Sequence, residues 1–193
     1  MQTDTTPRTL LIEIPGLRWS SDQARTVRQQ AAGVVLDILT AVDVDETWIY
    51  TALDSKAPEP LLSALRAAIA QVSPGHAIRH RTLQALTTLG NAADGRAQPW
   101  HYTSQTDIPA DTEAEFNRWF DEEHLPALAG LDGTVHACRY RTDGSPRYLA
   151  SYDLKTRDTQ GSPIWRAAID TPWRDRMHPR FVNPRRVMFQ RLP

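Results

Sequence analysis

The chain has 193 residues, enough for one sizeable domain or two small ones. Its 22 lysines and arginines balance 23 aspartates and glutamates, which leaves no electrostatic footprint for nucleic acid or an anionic membrane surface. A single cysteine, Cys138, excludes an intrachain disulfide and a cysteine-rich zinc site; no apolar run approaches the roughly 18–20 residues that span a bilayer, so a soluble cytoplasmic protein is expected.

The polar Met1–Pro7 leader precedes Thr9–Ile14, an apolar, β-branched run that predicts a strand stopped by Pro15-Gly16. Ser20 or Ser21 caps a helix running to about Ala32, with Asp22 at the positive end of its dipole. Val34–Val42 and Thr47–Leu53 predict a hairpin. Pro58 and Pro60 open a second helix, in which Leu61, Leu62, Leu65, Ala68, Ile69 and Val72 keep helical spacing. His76–Leu89 supplies the next strand. The stretch GNAADGRAQ, Gly90–Gln98, is small and turn-prone and predicts a linker at residues 91–99 between units at 1–90 and 100–193.

The pattern then restarts. Trp100–Ile108 predicts a strand, and Asp111 or Thr112 caps a helix continuing to about Ala129. Thr134–Arg141 and Arg147–Leu154 flank a turn at Thr142–Pro146, Ser162-Pro163 starts another helix, and Phe181–Leu192 closes with a strand. Each half reads β-α-β-β-α-β, the order of a ferredoxin-like unit: a four-stranded antiparallel sheet with both helices on one face. GVVLDILTAVDVDETWIYTALDSK from Gly33 aligns by apolar pattern with GTVHACRYRTDGSPRYLASYDLK from Gly133, so the expected fold is α+β, with a tandem pair of units. Two bare sheet faces brought together make an α+β barrel with helices outside and a cavity lined by alternate strand residues.

The stretch RWFDEEHLPAL, Arg118–Leu128, sets a titratable ring in an apolar stripe: Phe116, Phe120, His124 and Leu128 recur every four residues. Pro126 has no N–H and disfavours the α conformation at Leu125, so the helix is expected to bend or end near His124. His124 is then either a hydrogen-bonded core residue or a proton shuttle at a pocket mouth. Asp121, Glu122 and Glu123 point in three directions about 100° apart. Asp121 and Glu122 read as a solvated face, Glu122 pairing with Arg118, while Glu123 lies nearer the stripe and a pocket.

RWFDEEHLPAL, GTVHACRYR, PRYLASYDL, GSPIWRAA and TPWRDR together resemble EthD-like members of the dimeric α+β barrel superfamily, over roughly Trp100–Leu192. The first half lacks these motifs and stands where the partner subunit of such a dimer would stand. The resemblance implies a fold used by cofactor-free monooxygenases, cyclases, isomerases, dehydratases and some heme proteins, and fold does not choose among these. It also implies a monomer already closed as an internal pseudo-dimer, or a homodimer.

On the hairpin, His136, Cys138 and Tyr140 share one face and Ala137, Arg139 and Arg141 the other; Tyr148, Ala150, Tyr152 and Leu154 share a face of the partner strand. Which face meets the helices is open. The tyrosines are either satisfied core or, with Arg139, holders of an oxyanion. Trp119, Trp165 and Trp173 sit near helix ends, as core seals or pocket walls, and Arg174 at a rim would recruit a carboxylate. The expected site therefore has His124, Tyr140, Arg139 and Tyr148 in catalytic roles, with Trp119, Phe120, Glu123, His136, Trp165, Trp173 and Arg174 binding substrate. No metal is assigned: His76 and His80 fall on a predicted turn and strand, some 13 Å apart, and H-E-x-x-H is absent. A G-x-S-x-G elbow and a Gly-rich phosphate loop are absent too. The expected activity is cofactor-independent acid–base chemistry, of lyase, isomerase or cyclase type, on a hydrophobic or aromatic metabolite. A cofactor-free oxygenase, a heme protein ligated through histidine and a non-catalytic ligand-binding or assembly protein are the alternatives.

Overall fold

The apolar run after the leader forms β1 (Arg8–Pro15), where Leu10, Ile12 and Ile14 alternate onto one face. The computed structural model describes residues 8–53, 59–90, 98–142 and 144–193; the Met1–Pro7 leader, Pro58, Asn91–Ala97 of the linker and Asp143 of the hairpin turn lie outside the described residues. Elements follow as α1 (Ser21–Gln30), β2 (Asp37–Ala41), β3 (Glu46–Leu53), α2 (Glu59–Val72) and β4 (Arg79–Gly90), then β5 (Trp100–Asp107), α3 (Glu113–Trp119), a π-helical turn (Phe120–His124), α4 (Leu125–Ala129), β6 (Thr134–Arg141), β7 (Tyr148–Leu154), α5 (Pro163–Ile169), α6 (Pro172–Met177) and β8 (Val182–Arg191). The fold is α+β, and the strands follow the order β1-β3-β2-β8-β5-β7-β6-β4 of a closed barrel.

The chain divides into two compact units: Met1–Ala85 with Phe189–Pro193, and Leu86–Met188. In the first, β1 pairs antiparallel with β3 and β4, and β3 with β2. Ile12 stands opposite Ile49, so both point to the face covered by the helices. Ala24 and Val27 of α1, with Leu62, Leu65, Ala68 and Ile69 of α2, seal that face. Each buried leucine or isoleucine contributes about 1.5–3 kcal/mol. Ser20 accepts from the Gln23 N–H while the Gln23 side chain accepts from the Ser20 N–H, a complete capping box.

In the second unit β7 pairs antiparallel with β5 and β6, placing Tyr102 opposite Tyr152 and Ala137 opposite Tyr152. Tyr102, Tyr152, Ala137 and Arg139 therefore share the helix-covered face, which decides the parity that strand alternation left open. Ser162 and Thr171 each accept a hydrogen bond from the backbone three residues on and cap α5 and α6, both with proline at the first turn. Among the described residues no helix is long and apolar enough to cross a membrane.

Candidate functional site

The helix expected from Thr112 to Ala129 is interrupted where the proline predicts. Pro126 cannot donate to the carbonyl of Glu122, and its ring would crowd that carbonyl in a regular helix. The backbone widens instead into the π turn Phe120–His124, in which the Leu125 N–H reaches the Phe120 carbonyl five residues back. A single π turn inside an α-helix is one of the few identifiable causes of a kink, and it redirects the side chains that follow. Thr112 occupies the cap position without a side-chain bond to the helix backbone.

His124, at the end of this turn, lines a cavity of about 560 Å³ on the helix-covered face of the second unit's sheet. That volume lies within the range of small-molecule sites. Two bare sheet faces predict a cavity on the opposite side; residues of the helices α3, α4, α5 and α6 wall this one instead. The His124 ring packs 4.4 Å from Trp119 and 4.9 Å from Phe120, centroid to centroid. Neither ring nitrogen has a hydrogen-bonding partner among the described residues. Burial, then the field of His178 in its protonated form and the charges of Arg174 and Arg186, pushes its pKa down to about 3. The ring is therefore a neutral imidazole, with its nitrogens available to whatever occupies the cavity.

At one side of the cavity Tyr102, Tyr152 and Trp165 form an aromatic corner. Tyr152 lies 6.1 Å from Tyr102, nearly parallel, and 5.4 Å from Trp165, edge-on. Tyr152 is 1% exposed, and its hydroxyl has no hydrogen-bonding partner among the described residues. A buried hydroxyl in that state costs about 1–3 kcal/mol. Burial raises its pKa well above the ordinary tyrosine value, so it stays a donor. Arg166, Arg174, His178 and Arg186 line the remainder, and no carboxylate among the described residues does. Arg186 Nη2 donates to His178 Nε2 at 3.0 Å, which makes that nitrogen an acceptor and the ring neutral. Burial, then Arg174 and Arg186, lowers the His178 pKa in keeping with this.

Of the residues expected in the site, His124, Trp119, Phe120, Trp165 and Arg174 line the cavity. Arg139 and Tyr148 share its face of the sheet but border a neighbouring space of about 10 Å³, barely the room of one water. Arg139 is 1% exposed, with its guanidinium 5.1 Å from the Phe116 ring and 4.9 Å from the rings of Phe120 and Tyr148. It donates to Asn117 and to Asp121, the latter at 3.4 Å. Asp121, expected on a solvated face, is half exposed and is this arginine's counter-charge. Tyr148 donates to Glu113, which also holds Arg147. The Tyr148 bond, ahead of the Arg147 ones, lowers the Glu113 pKa.

Glu123 accepts from Trp119 Nε1 at 3.0 Å and from Thr171 Oγ1 at 2.5 Å, tying the π turn to the cap of α6 rather than facing the cavity. Glu122 pairs with Arg118 at 3.9 Å as the spacing predicts. Trp173 donates to Glu115 on the surface, with Arg118 over its ring. His136 and Tyr140 point to the other face of the sheet. There Asp153 meets His101 Nδ1 at 2.7 Å and His136 Nδ1 at 3.5 Å. Burial raises the pKa of Tyr140 well above normal and also raises that of Cys138. Among the described residues no group of three or more His, Cys, Asp or Glu side chains is arranged to hold a metal. Sequence reasoning missed Tyr102, Tyr152, Arg166, His178 and Arg186 as site residues. The one available signal was the shared face of Tyr148 and Tyr152.

The sequence matches no family model and no curated protein sequence. Solved structures do share its architecture. A proposed monooxygenase of Fusobacterium nucleatum superposes with a TM-score of 0.68 at 10% identity, over 99% of this chain and 94% of its own. An anthrone oxidase-like protein gives 0.60 at 13% identity, over 100% and 94%. A heme-degrading enzyme of Listeria monocytogenes gives 0.55 at 6% identity, over 95% and 98%. At such identities the likeness shows the fold alone: an α+β barrel of ferredoxin-like type.

Proposed function

We propose that the chain is a cofactor-independent enzyme that removes a proton from an enolisable aromatic substrate, with dioxygen as the second reactant. The observation that carries this reading is His124: a neutral imidazole on the wall of an aromatic cavity, with both nitrogens unclaimed by the described residues. The EthD-like resemblance of the second half and the likeness to a proposed monooxygenase and an anthrone oxidase-like protein support it.

In this reading His124 takes a proton from a carbon next to a carbonyl, and the C–H electron pair spreads onto the carbonyl oxygen. The unpartnered Tyr152 hydroxyl donates to that oxygen, and the arginines favour its charge. The rings of Tyr102, Tyr152 and Trp165 orient the plane of the substrate. For an anthrone, addition of dioxygen to the carbanion and return of the proton give a hydroperoxide. Loss of water then gives the second ketone, so anthrone plus dioxygen yields anthraquinone plus water. A lyase or isomerase would share the proton removal and stop before oxygen.

The test is oxygen uptake with anthrone, together with quantitation of anthraquinone. One-to-one consumption and product are expected, and His124→Gln should slow turnover by about 10²–10⁴-fold with the circular dichroism spectrum unchanged. Turnover that survives this substitution would sink the assignment.

Heme is the second reading, favoured by two features: the cavity volume and the unclaimed His124 nitrogens. His124 would hold the iron, and Arg174 and Arg186 would meet the propionates. Bound heme would supply one-electron and oxygen chemistry. A Soret band after hemin titration, lost in His124→Ala, supports this reading; a flat titration removes it.

A further inference from the structure

Three arginines and His178 line one cavity, and no acidic side chain among the described residues faces them there. A half-buried cation is seldom left without an anion, and Arg174 is such a cation. Its partner, Asp175, lies on the surface and takes Nη1 only; its Nε–H is buried and unpartnered. Arg186 and Arg166, more exposed, make no ion pair with any described residue. Arg186 reaches His178, so its position is set by a neutral acceptor and its charge remains free. The apolar end of the same space is a corner of three aromatic rings with one buried, unpartnered hydroxyl.

We infer that the cavity takes an aromatic acid, with its ring system between Tyr102, Tyr152 and Trp165 and its carboxylate on the guanidinium groups of Arg174 and Arg186. The guanidinium fork matches a carboxylate in two parallel hydrogen bonds. Arg166, exposed on α5, adds charge at the entrance and steers the anion inward. This deepens the proposed function by naming its substrate class, and rests on the same cavity.

The anion also bears on His124. In the ligand-free cavity burial is the main factor disfavouring an imidazolium at His124, and the charges of Arg174 and Arg186 add a smaller part. A carboxylate seated on those arginines cancels that smaller part, so the base gains some proton affinity when substrate is present.

Calorimetric titration of the whole protein with 2-naphthoate and with 2-naphthamide decides the matter. The two probes share a ring and differ in charge. The carboxylate should bind about tenfold or more tightly than the amide. Arg186→Gln and Arg174→Gln should each reduce that preference, and raised salt should weaken naphthoate alone. Two variants guard against misfolding of either, and naphthamide affinity reports an intact cavity. Equal affinities for the two probes, or a preference untouched by both substitutions, would overturn the inference. Failure of the reaction reads differently. If naphthoate binds selectively while anthrone is not oxidised, the substrate class stands and the oxygenase reading falls. If anthrone is oxidised without selective naphthoate binding, the oxygenase stands and the aromatic acid falls.

Discussion

The first helix of each unit makes an informative pair. α1 opens on a complete capping box and buries only Ala24 and Val27. Its counterpart opens on a threonine that makes no bond to the helix, carries three large aromatic residues and a histidine, and breaks into a π turn before Pro126. The buried charges differ in the same direction. Arg81 and Glu13 meet at 2.6 Å, each 11% exposed, so a buried cation there faces a buried carboxylate. Arg139 is met by a half-exposed aspartate and by aromatic faces, while Arg166 and Arg186 have no acidic partner among the described residues. Regular backbone and a buried cation matched by a buried carboxylate go with a unit that mainly holds the fold. Irregular backbone and open cations go with the unit that holds the cavity.

The two buried arginines should respond differently to truncation. Arg81→Met strands Glu13 as a buried charge and should cost about 3–5 kcal/mol in urea unfolding. Arg139→Met should cost only about 1–2 kcal/mol, because Asp121 can be hydrated and methionine suits an aromatic cage. Equal losses would refute the distinction.

Acidification should act through the second unit. The folded-state pKa of His124 is about 3, below the 6.5 of the free side chain. Its contribution to stability is complete above about pH 6.5 and is lost as pH falls toward 3, since only the unfolded chain takes up the proton in that window. His178 is shifted in the same sense. Urea midpoints measured from about pH 7 to about pH 4 should fall, and His124→Gln should flatten the slope.

Tyr152→Phe removes a hydroxyl that bonds none of the described residues. Stability should therefore rise by about 1–3 kcal/mol, while affinity for a carbonyl-bearing aromatic ligand drops roughly three- to tenfold by titration. The smallest effect compares the two caps. Ser20→Ala should cost about 1 kcal/mol, and Thr112→Ala much less, since its hydroxyl bonds Asp111 and not the helix backbone.

Much of the architecture was legible because it follows from local rules. Apolar alternation marked the strands, proline and glycine marked the stops, and Ser20 and Ser162 marked helix starts that the backbone then used. Pro126 announced an irregularity beside His124, though not its form. A proline removes one hydrogen bond, and whether the chain kinks, ends or widens depends on what packs around it. Trp119, Phe120 and His124 lie within two turns of that signal, while Trp165 and Arg174 sit on the later short helices.

What sequence alone determined is the order of elements, the antiparallel ferredoxin-like pattern and the histidine at a disturbed turn, all set by neighbours within a few residues. Only the tertiary structure decided which strand face meets the helices. Alternation with period two has no sign: His136 and Tyr140 fit one face as well as Arg139 and Tyr152 fit the other until the helices dock. That docking put Tyr102, Tyr152, His178 and Arg186 around a cavity shared with His124, although none of them is its neighbour in sequence. It also turned Glu123, Trp173 and Tyr148 from expected ligands into structural ties. A cavity is a property of packed surfaces, and no local pattern encodes one.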